Sequence, residues 1–168
     1  MKPDVRIEPW TDADLDLLRR LNAPEMTRHL GGPETEEKVQ RRHERYVAGD
    51  GTAQMFRVVL LPDGEAVGLV GYWEHDWQGE TVYETGWHVL PSYQGRGIAS
   101  TAVTEVARLA AAQRKHAHLH AFPSVDNAAS NALCRKVGFS FVEECDFEYP
   151  RGHLMRCNDW RLDLAVPE

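Results

Sequence analysis

The stretch Pro91-Ser92-Tyr93-Gln94-Gly95-Arg96-Gly97-Ile98-Ala99-Ser100 constrains this chain more than any other. An alternating run, Tyr83 to Val89, enters it, and a long helical pattern, Ile98 to about Ala112, leaves it. The expected local structure is strand, tight glycine loop, helix start. Gly95 and Gly97 lack a Cβ, so the backbone can turn sharply there and approach a ligand closely. The first N–H groups of the following helix have no intrahelical partner. They point out of the helix end that carries the positive pole of the macrodipole. Such a loop binds a phosphate or diphosphate without a lysine.

Two other glycine loops fit poorly. A P-loop needs Gly-Lys-Ser/Thr after four intervening residues, and that string is missing here. The dinucleotide fingerprint needs a third glycine where Ser100 stands, and an acidic residue about 20 positions on. What the loop does contain is Gln-x-x-Gly-x-Ala, from Gln94 to Ala99.

The 168 residues read as a single domain, residues 1–168, long enough to bury a core. No apolar run approaches the roughly 18 residues of a membrane span. The opening Met1-Lys2-Pro3-Asp4-Val5-Arg6 has no apolar signal region, so a cytoplasmic location is the expectation. Cys134, Cys145 and Cys157 are widely spaced and form no C-x-x-C pair, which argues against structural zinc and for reduced thiols. The net charge of −7 argues against general nucleic-acid binding. It favours a cationic partner mildly, through long-range attraction, or serves solubility alone.

Taken in order, Val5 to Ile7 is a short strand. Thr11-Asp12 offers an N-cap before Leu15, Leu18 and Leu21, and Asn22-Ala23-Pro24 ends that helix. Met26 to Leu30 is one helical turn, broken by Gly31-Gly32-Pro33. A helix runs from Thr35 to about Ala48, with acids in its first turn. Gln54 to Leu61 and Ala66 to Trp73 read as a hairpin around Pro62-Asp63-Gly64. Glu74 to Glu80 reads as a polar connection. After the glycine loop, Ile98, Ala102, Val106 and Leu109 mark one helix face. Leu119 to Phe122 is a short strand, Asp126-Asn127 caps a helix to Val137, and Gly138 stops it. Phe139 to Glu144 and Met155 to Leu164 are the last strands, joined through Tyr149-Pro150-Arg151-Gly152. The order β-α-α-β-β-β-α-β-α-β-β predicts a mixed α/β (α+β) sheet with a parallel crossover around the glycine loop.

The Gln94–Ala99 string resembles the acetyl-CoA diphosphate loop of the GNAT N-acetyltransferases. A second string, Asn127-Ala-Ala-Ser130-Asn131-Ala-Leu133-Cys134-Arg135-Lys136-Val-Gly138-Phe139, resembles that family's Asn…Leu-Tyr…Gly-Phe segment, with Cys134 in place of the tyrosine. The N-terminal segment Asn22 to Thr35 and the strand Glu84-Thr85-Gly86-Trp87 resemble the RimJ/RimL-type branch. The resemblance implies the GNAT fold, acetyl-CoA as cosubstrate, no metal, and direct acetyl transfer to a primary amine on a small molecule or a peptide. It also implies a homodimer, common in that branch. Residue by residue, it implies that Gln94 opens the loop and that Gly95, Arg96, Gly97, Ile98, Ala99 and Ser100 hold the diphosphate. Backbone groups of Val89 and Leu90 would pair with the pantetheine arm, and Asn127 would contact the pantetheine or the thioester end. Arg135 or Lys136 would reach the nucleotide phosphate or stand as exposed helix charges.

Two proton transfers accompany such a reaction. Glu84 is the candidate base, against the alternative of a paired strand carboxylate. Cys134 is a candidate acid or a small buried hydrophobe, and Ser130, one helical turn earlier, is a second donor candidate. His88 shares a strand face with Glu84. His118 and His120 share another, as a metal pair or as strand-end histidines. Trp77, read as a loop residue, would wall an acceptor pocket, whereas Trp73 and Trp87 read as strand filling. Glu34, Glu36 and Glu37 either steer a cation or serve their helix start. The missing tyrosine keeps open a non-catalytic acyl-CoA-binding module, and a chance glycine loop keeps open a nucleotide-binding α/β module.

Overall fold

A computed structural model describes residues 3–49, 51–148 and 152–164. Its strands are β1 (Val5–Pro9), β2 (Ala53–Leu60), β3 (Glu65–Trp77), β4 (Glu80–Val89), β5 (His118–Ala121), β6 (Ser140–Glu148) and β7 (Leu154–Asp163). Its α-helices are α1 (Leu15–Leu21), α2 (Pro24–Thr27), α3 (Glu36–Ala48), α4 (Ile98–Gln113) and α5 (Ala128–Val137). The strands form one seven-stranded sheet in the order β1-β2-β3-β4-β5-β7-β6. Only β4 and β5 are parallel; the other pairs are antiparallel. The predicted mixed α/β architecture is the observed one.

Helices cover both faces, and the period-2 alternation of the strands explains how. On β3, Val70 and Tyr72 join Val58, Val89, Leu119 and Trp160 against α4. Leu69, one residue out of phase, joins Leu17, Leu18, Leu21 and Val39 of α1 and α3 on the other side. Helix α4 buries Ile98, Ala102, Val106 and Ala110, together with Val103. Four-residue spacing continues to Ala110, and Leu109 packs only at the margin of that cluster.

The largest departure from expectation lies between Glu74 and Glu80. The segment read as a polar connection is strand: β3 runs to Trp77 and β4 begins at Glu80. Gln78 and Gly79 make the whole turn, with φ of 52° and 81°. Two successive left-handed residues match the twist of the flanking strands. Trp77 is therefore a strand residue, and its indole donates to Asp159 Oδ2 at 3.1 Å. The connection Tyr149 to Gly152 falls largely outside the described residues.

Helix α5 is tied to the sheet by Asn131. Its Nδ2 donates to the carbonyls of Ser124 and Asn127, and its Oδ1 accepts from Asn158 Nδ2 and Trp160 Nε1 at 2.9 and 2.8 Å. Removing that side chain leaves several half-buried polar groups unmatched. Asn131→Ala is expected to cost about 2–3 kcal/mol of stability, read by urea unfolding.

Candidate active site

The glycine loop is built as the backbone requirement predicts. Gly95 and Gly97 have φ of +74° and +78°, and nothing stands within 4 Å of where a Cβ of Gly95 would lie. Gly97 is the N-cap of α4 and provides no side-chain cap. The hydroxyls of Ser100 and Thr101 instead donate back to the Gly97 carbonyl, at 3.1 and 2.8 Å. The helix-start amides therefore face a cavity of 390 Å³ lined by Arg96, Gly97, Ser100, Thr101, Thr104 and Lys136. Two cations and a helix N-terminus suit a diphosphate or phosphate ester. Lys136 lines this cavity. Arg135 does not; its guanidinium lies over the Trp160 ring, 5.4 Å from the centroid.

From the loop a slot runs back along β4. The parallel β4–β5 ladder contains just two registered pairs, Tyr83↔Leu119 and Glu84↔His120. Beyond Glu84 the strands part. The Leu90 N–H donates to Val67 O of β3 at 2.9 Å, and the Leu90 carbonyl accepts from Tyr93 N–H at 2.9 Å. Both backbone groups of Leu90 are thus engaged inside the protein, which leaves it unsuited to pairing with a ligand arm. Backbone groups of successive strand residues point to opposite edges. The Val89 N–H therefore faces the slot, while Gln94 Nε2 donates to the Val89 carbonyl at 2.8 Å. Gln94 acts on the strand end, bracing it against the loop it opens.

Glu84 sits where the strands begin to part. Its side chain is 13% exposed, and one oxygen lies 3.8 Å from His75 Nδ1. Burial pushes its carboxyl up to about 7, and a hydrogen bond from Trp73 opposes this only in part. A carboxyl poised near neutrality is what a general base requires. His75 is held neutral by its own burial. Its Nε2 has no hydrogen-bond partner, and its ring packs with Trp77, Phe122 and Phe147.

The two predicted donors both lie on α5. Cys134 is fully buried in the core that packs α4 against the sheet, and burial raises its thiol to about 12. Its small size lets α5 close down on that core, so the acid role expected for Cys134 is replaced by packing. Ser130 is half-buried in the first turn of α5, and its N–H donates to Asn127 Oδ1 at 3.2 Å. Asn127 is thereby the N-cap of α5. His118 and His120 are strand histidines with carboxylate partners. His120 Nδ1 lies 2.6 Å from Asp159 Oδ1, both buried, and His118 lies near Glu80 and Asp163. Glu34, Glu36 and Glu37 are each ion-paired, to Arg42, Arg19 and Arg41.

Sequence reading did not single out His75, Asp159 or Arg42. His75 and Asp159 reach the site from β3 and β7, and no local pattern links those positions to Glu84. His29 was missed for the same reason: its Nδ1 contacts Asp126 Oδ1 at 3.1 Å, joining the segment after α2 to the loop before α5.

Comparison with known proteins agrees with this geometry. The model of the acetyltransferase (GNAT) domain matches residues 4–140. No curated protein matches the sequence. Among solved structures, the chain is similar to a spermidine N-acetyltransferase from Vibrio cholerae in complex with CoA and spermine. That match has 15% identity, a TM-score of 0.78, and covers 96% of each chain. It is similar to an aminoglycoside acetyltransferase in complex with coenzyme A, at 18% identity, 95% of each chain and a TM-score of 0.76. It is also similar to an acetyltransferase from Salmonella typhimurium that modifies the N-terminal serine of ribosomal protein L7/L12. There the identity is 16%, the coverage 96% of this chain and 95% of that one, and the TM-score 0.75. A glycine loop opening α4, a slot between β4 and β5 and a family match across most of the length lead to one conclusion: the chain belongs to the GNAT acetyltransferase family.

Proposed function

We propose that this protein, acting as a single domain of the RimJ/RimL-like branch, transfers the acetyl group of acetyl-CoA to a primary amine, with Glu84 as the base. The observation that carries the reading is a desolvated carboxylate, raised to about 7, where β4 and β5 separate. Helix-start amides with Arg96 and Lys136 would hold the diphosphate, and the slot-facing Val89 N–H would pair with the extended arm or meet the acyl oxygen as charge gathers there. Glu84 removes a proton from the incoming ammonium, directly or through a water. The CoA thiolate leaves unassisted, or Ser130 supplies its proton. The acetylated amines of the similar structures span polyamines, aminoglycosides and a protein N-terminus, so the acceptor class rests on this chain's own pocket. A cytoplasmic location and a homodimer complete the reading. Edge strand β6, with Phe141 and Val142 exposed, supports the dimer, and sedimentation equilibrium tests it.

Thiol release with a panel of amines tests the activity; tight acetyl-CoA binding without turnover on any acceptor would leave an acyl-CoA-binding module instead. Glu84→Gln is expected to lower kcat by about 10²–10⁴ with little change in acetyl-CoA affinity. In the wild type kcat/KM should rise through pH about 7 as Glu84 loses its proton, and that limb should vanish in the variant.

The same burial has a consequence for stability. The folded carboxyl is raised from 4.5 to about 7, so folding favours its neutral form. That contribution is fully present below about pH 4.5 and is lost as pH rises through about 7. Glu84→Gln is therefore expected to be more stable than wild type above pH 7, by about 3 kcal/mol at most, and equal to it near pH 4. Thermal melts across that range check the sign. Gly97→Trp, which adds bulk beside Lys136 and Pro3 at a φ of +78°, should abolish acetyl-CoA binding in calorimetry.

A further inference from the structure

A second cavity, of 210 Å³, lies between α1, α2, α3 and the outer face of β3 and β4. Leu18, Leu21 and Leu69 contribute its apolar wall, and Arg42, Lys38, Glu34 and His88 its polar one. His88 links it to the reaction centre. His88 and Glu84 point to the same face of β4, four residues or about 13 Å apart along the strand. Between them Gly86 has no side chain, and the Trp73 ring lies across it, 3.0 Å from where a Cβ would stand. The indole that donates to Glu84 thus lies over Gly86, between the base and the cavity.

The charges of this cavity are uneven. Two cations line it against a single carboxylate. Arg42 is largely buried, its side chain 15% exposed, and is paired with Glu34 at 2.7 Å. Lys38 stands exposed at the mouth. Burial first, and then the positive field of Arg42, depress His88 to about 4, so it stays neutral at physiological pH. A field that drives a proton off an imidazole also disfavours an ammonium group. The chain as a whole is acidic, yet this pocket is not.

We propose that this cavity is the far subsite of the acceptor and that it holds the carboxylate of an amine that carries one, at the opposite end of the molecule from the reacting nitrogen. The proposal rests on the acetyl-transfer reading and gives it a substrate class: amino acids and other carboxylate-bearing amines, rather than polyamines. Arg42 and Lys38 supply the charge-assisted contacts. Neutral His88 supplies a hydrogen bond, and Leu69 excludes water beneath the group.

Three probes of equal length test it: 5-aminopentanoate, its primary amide and 1,5-diaminopentane, with the four- and six-carbon series alongside. The carboxylate compound is expected to exceed its amide at least tenfold in kcat/KM, with the diamine poorest. Arg42→Met should erase that preference by raising KM for the carboxylate compound alone while kcat holds within twofold. Lys38→Met, which leaves the Arg42–Glu34 pair intact, should weaken the preference in the same sense. A preference for the diamine, or one unchanged in both variants, overturns the proposal. Calorimetry on the CoA-loaded protein separates this from the activity itself. If CoA binds and no probe is acetylated, the transferase reading fails for these acceptors, and binding alone judges the cavity. Tighter binding of the carboxylate compound, lost in Arg42→Met, sustains the subsite; equal binding of all three probes, or of none, refutes it.

Discussion

The separation of β4 from β5 is the feature on which the site depends. A parallel pair inside a sheet normally continues its ladder until one strand ends. Here β5 is only four residues long and ends at Ala121, so the ladder stops after Glu84↔His120 while β4 continues to Val89. An unpaired strand edge in a protein interior is costly unless something satisfies it. Gln94 satisfies one carbonyl, and the remaining groups face the slot. The glycine loop follows directly from this strand, so the helix-start amides and the open edge lie along one line. An extended, amide-containing molecule bound there would complete the sheet as a missing strand does.

The gap also explains why ionising Glu84 is costly. Were the ladder to continue, neighbouring side chains would cover the carboxylate fully or displace it to the surface. Instead it sits at the fork, mostly withdrawn from water, beside Trp73 and His75. Below it the aromatic rings of Trp77, Phe122 and Phe147, with the buried His120–Asp159 pair, keep that face of the sheet dry. Fold stability and proton affinity are therefore coupled through one group.

Much of this was legible in the sequence because it depends on local rules. Gly95, Gly97 and Gly138 mark left-handed positions, alternating residues mark strands, and Asn127 marks a helix start. What was not legible depends on contacts between distant segments. Trp77 looked like a loop residue because Glu74 to Glu80 is polar, yet Gln78 and Gly79 alone make the turn. Leu90 looked like a ligand-pairing residue, but β3 takes up its N–H and the turn to Tyr93 its carbonyl. Cys134 stands where the family's pattern has tyrosine, and only packing shows that it fills the core. The pairing of Asp159 with His120, and of Arg42 with Glu34, follows from topology rather than from spacing.

The state of the sulfur atoms bears on how this enzyme can be studied. Cys134 and Cys157 are buried, Cys145 is partly so, and their thiols are raised to about 12, 11 and 12. Since only a thiolate attacks a disulfide dye, the folded chain reacts with such a dye slowly. Colour formed during turnover then reports released coenzyme against a quiet protein background, and a sudden rise in that background signals unfolding.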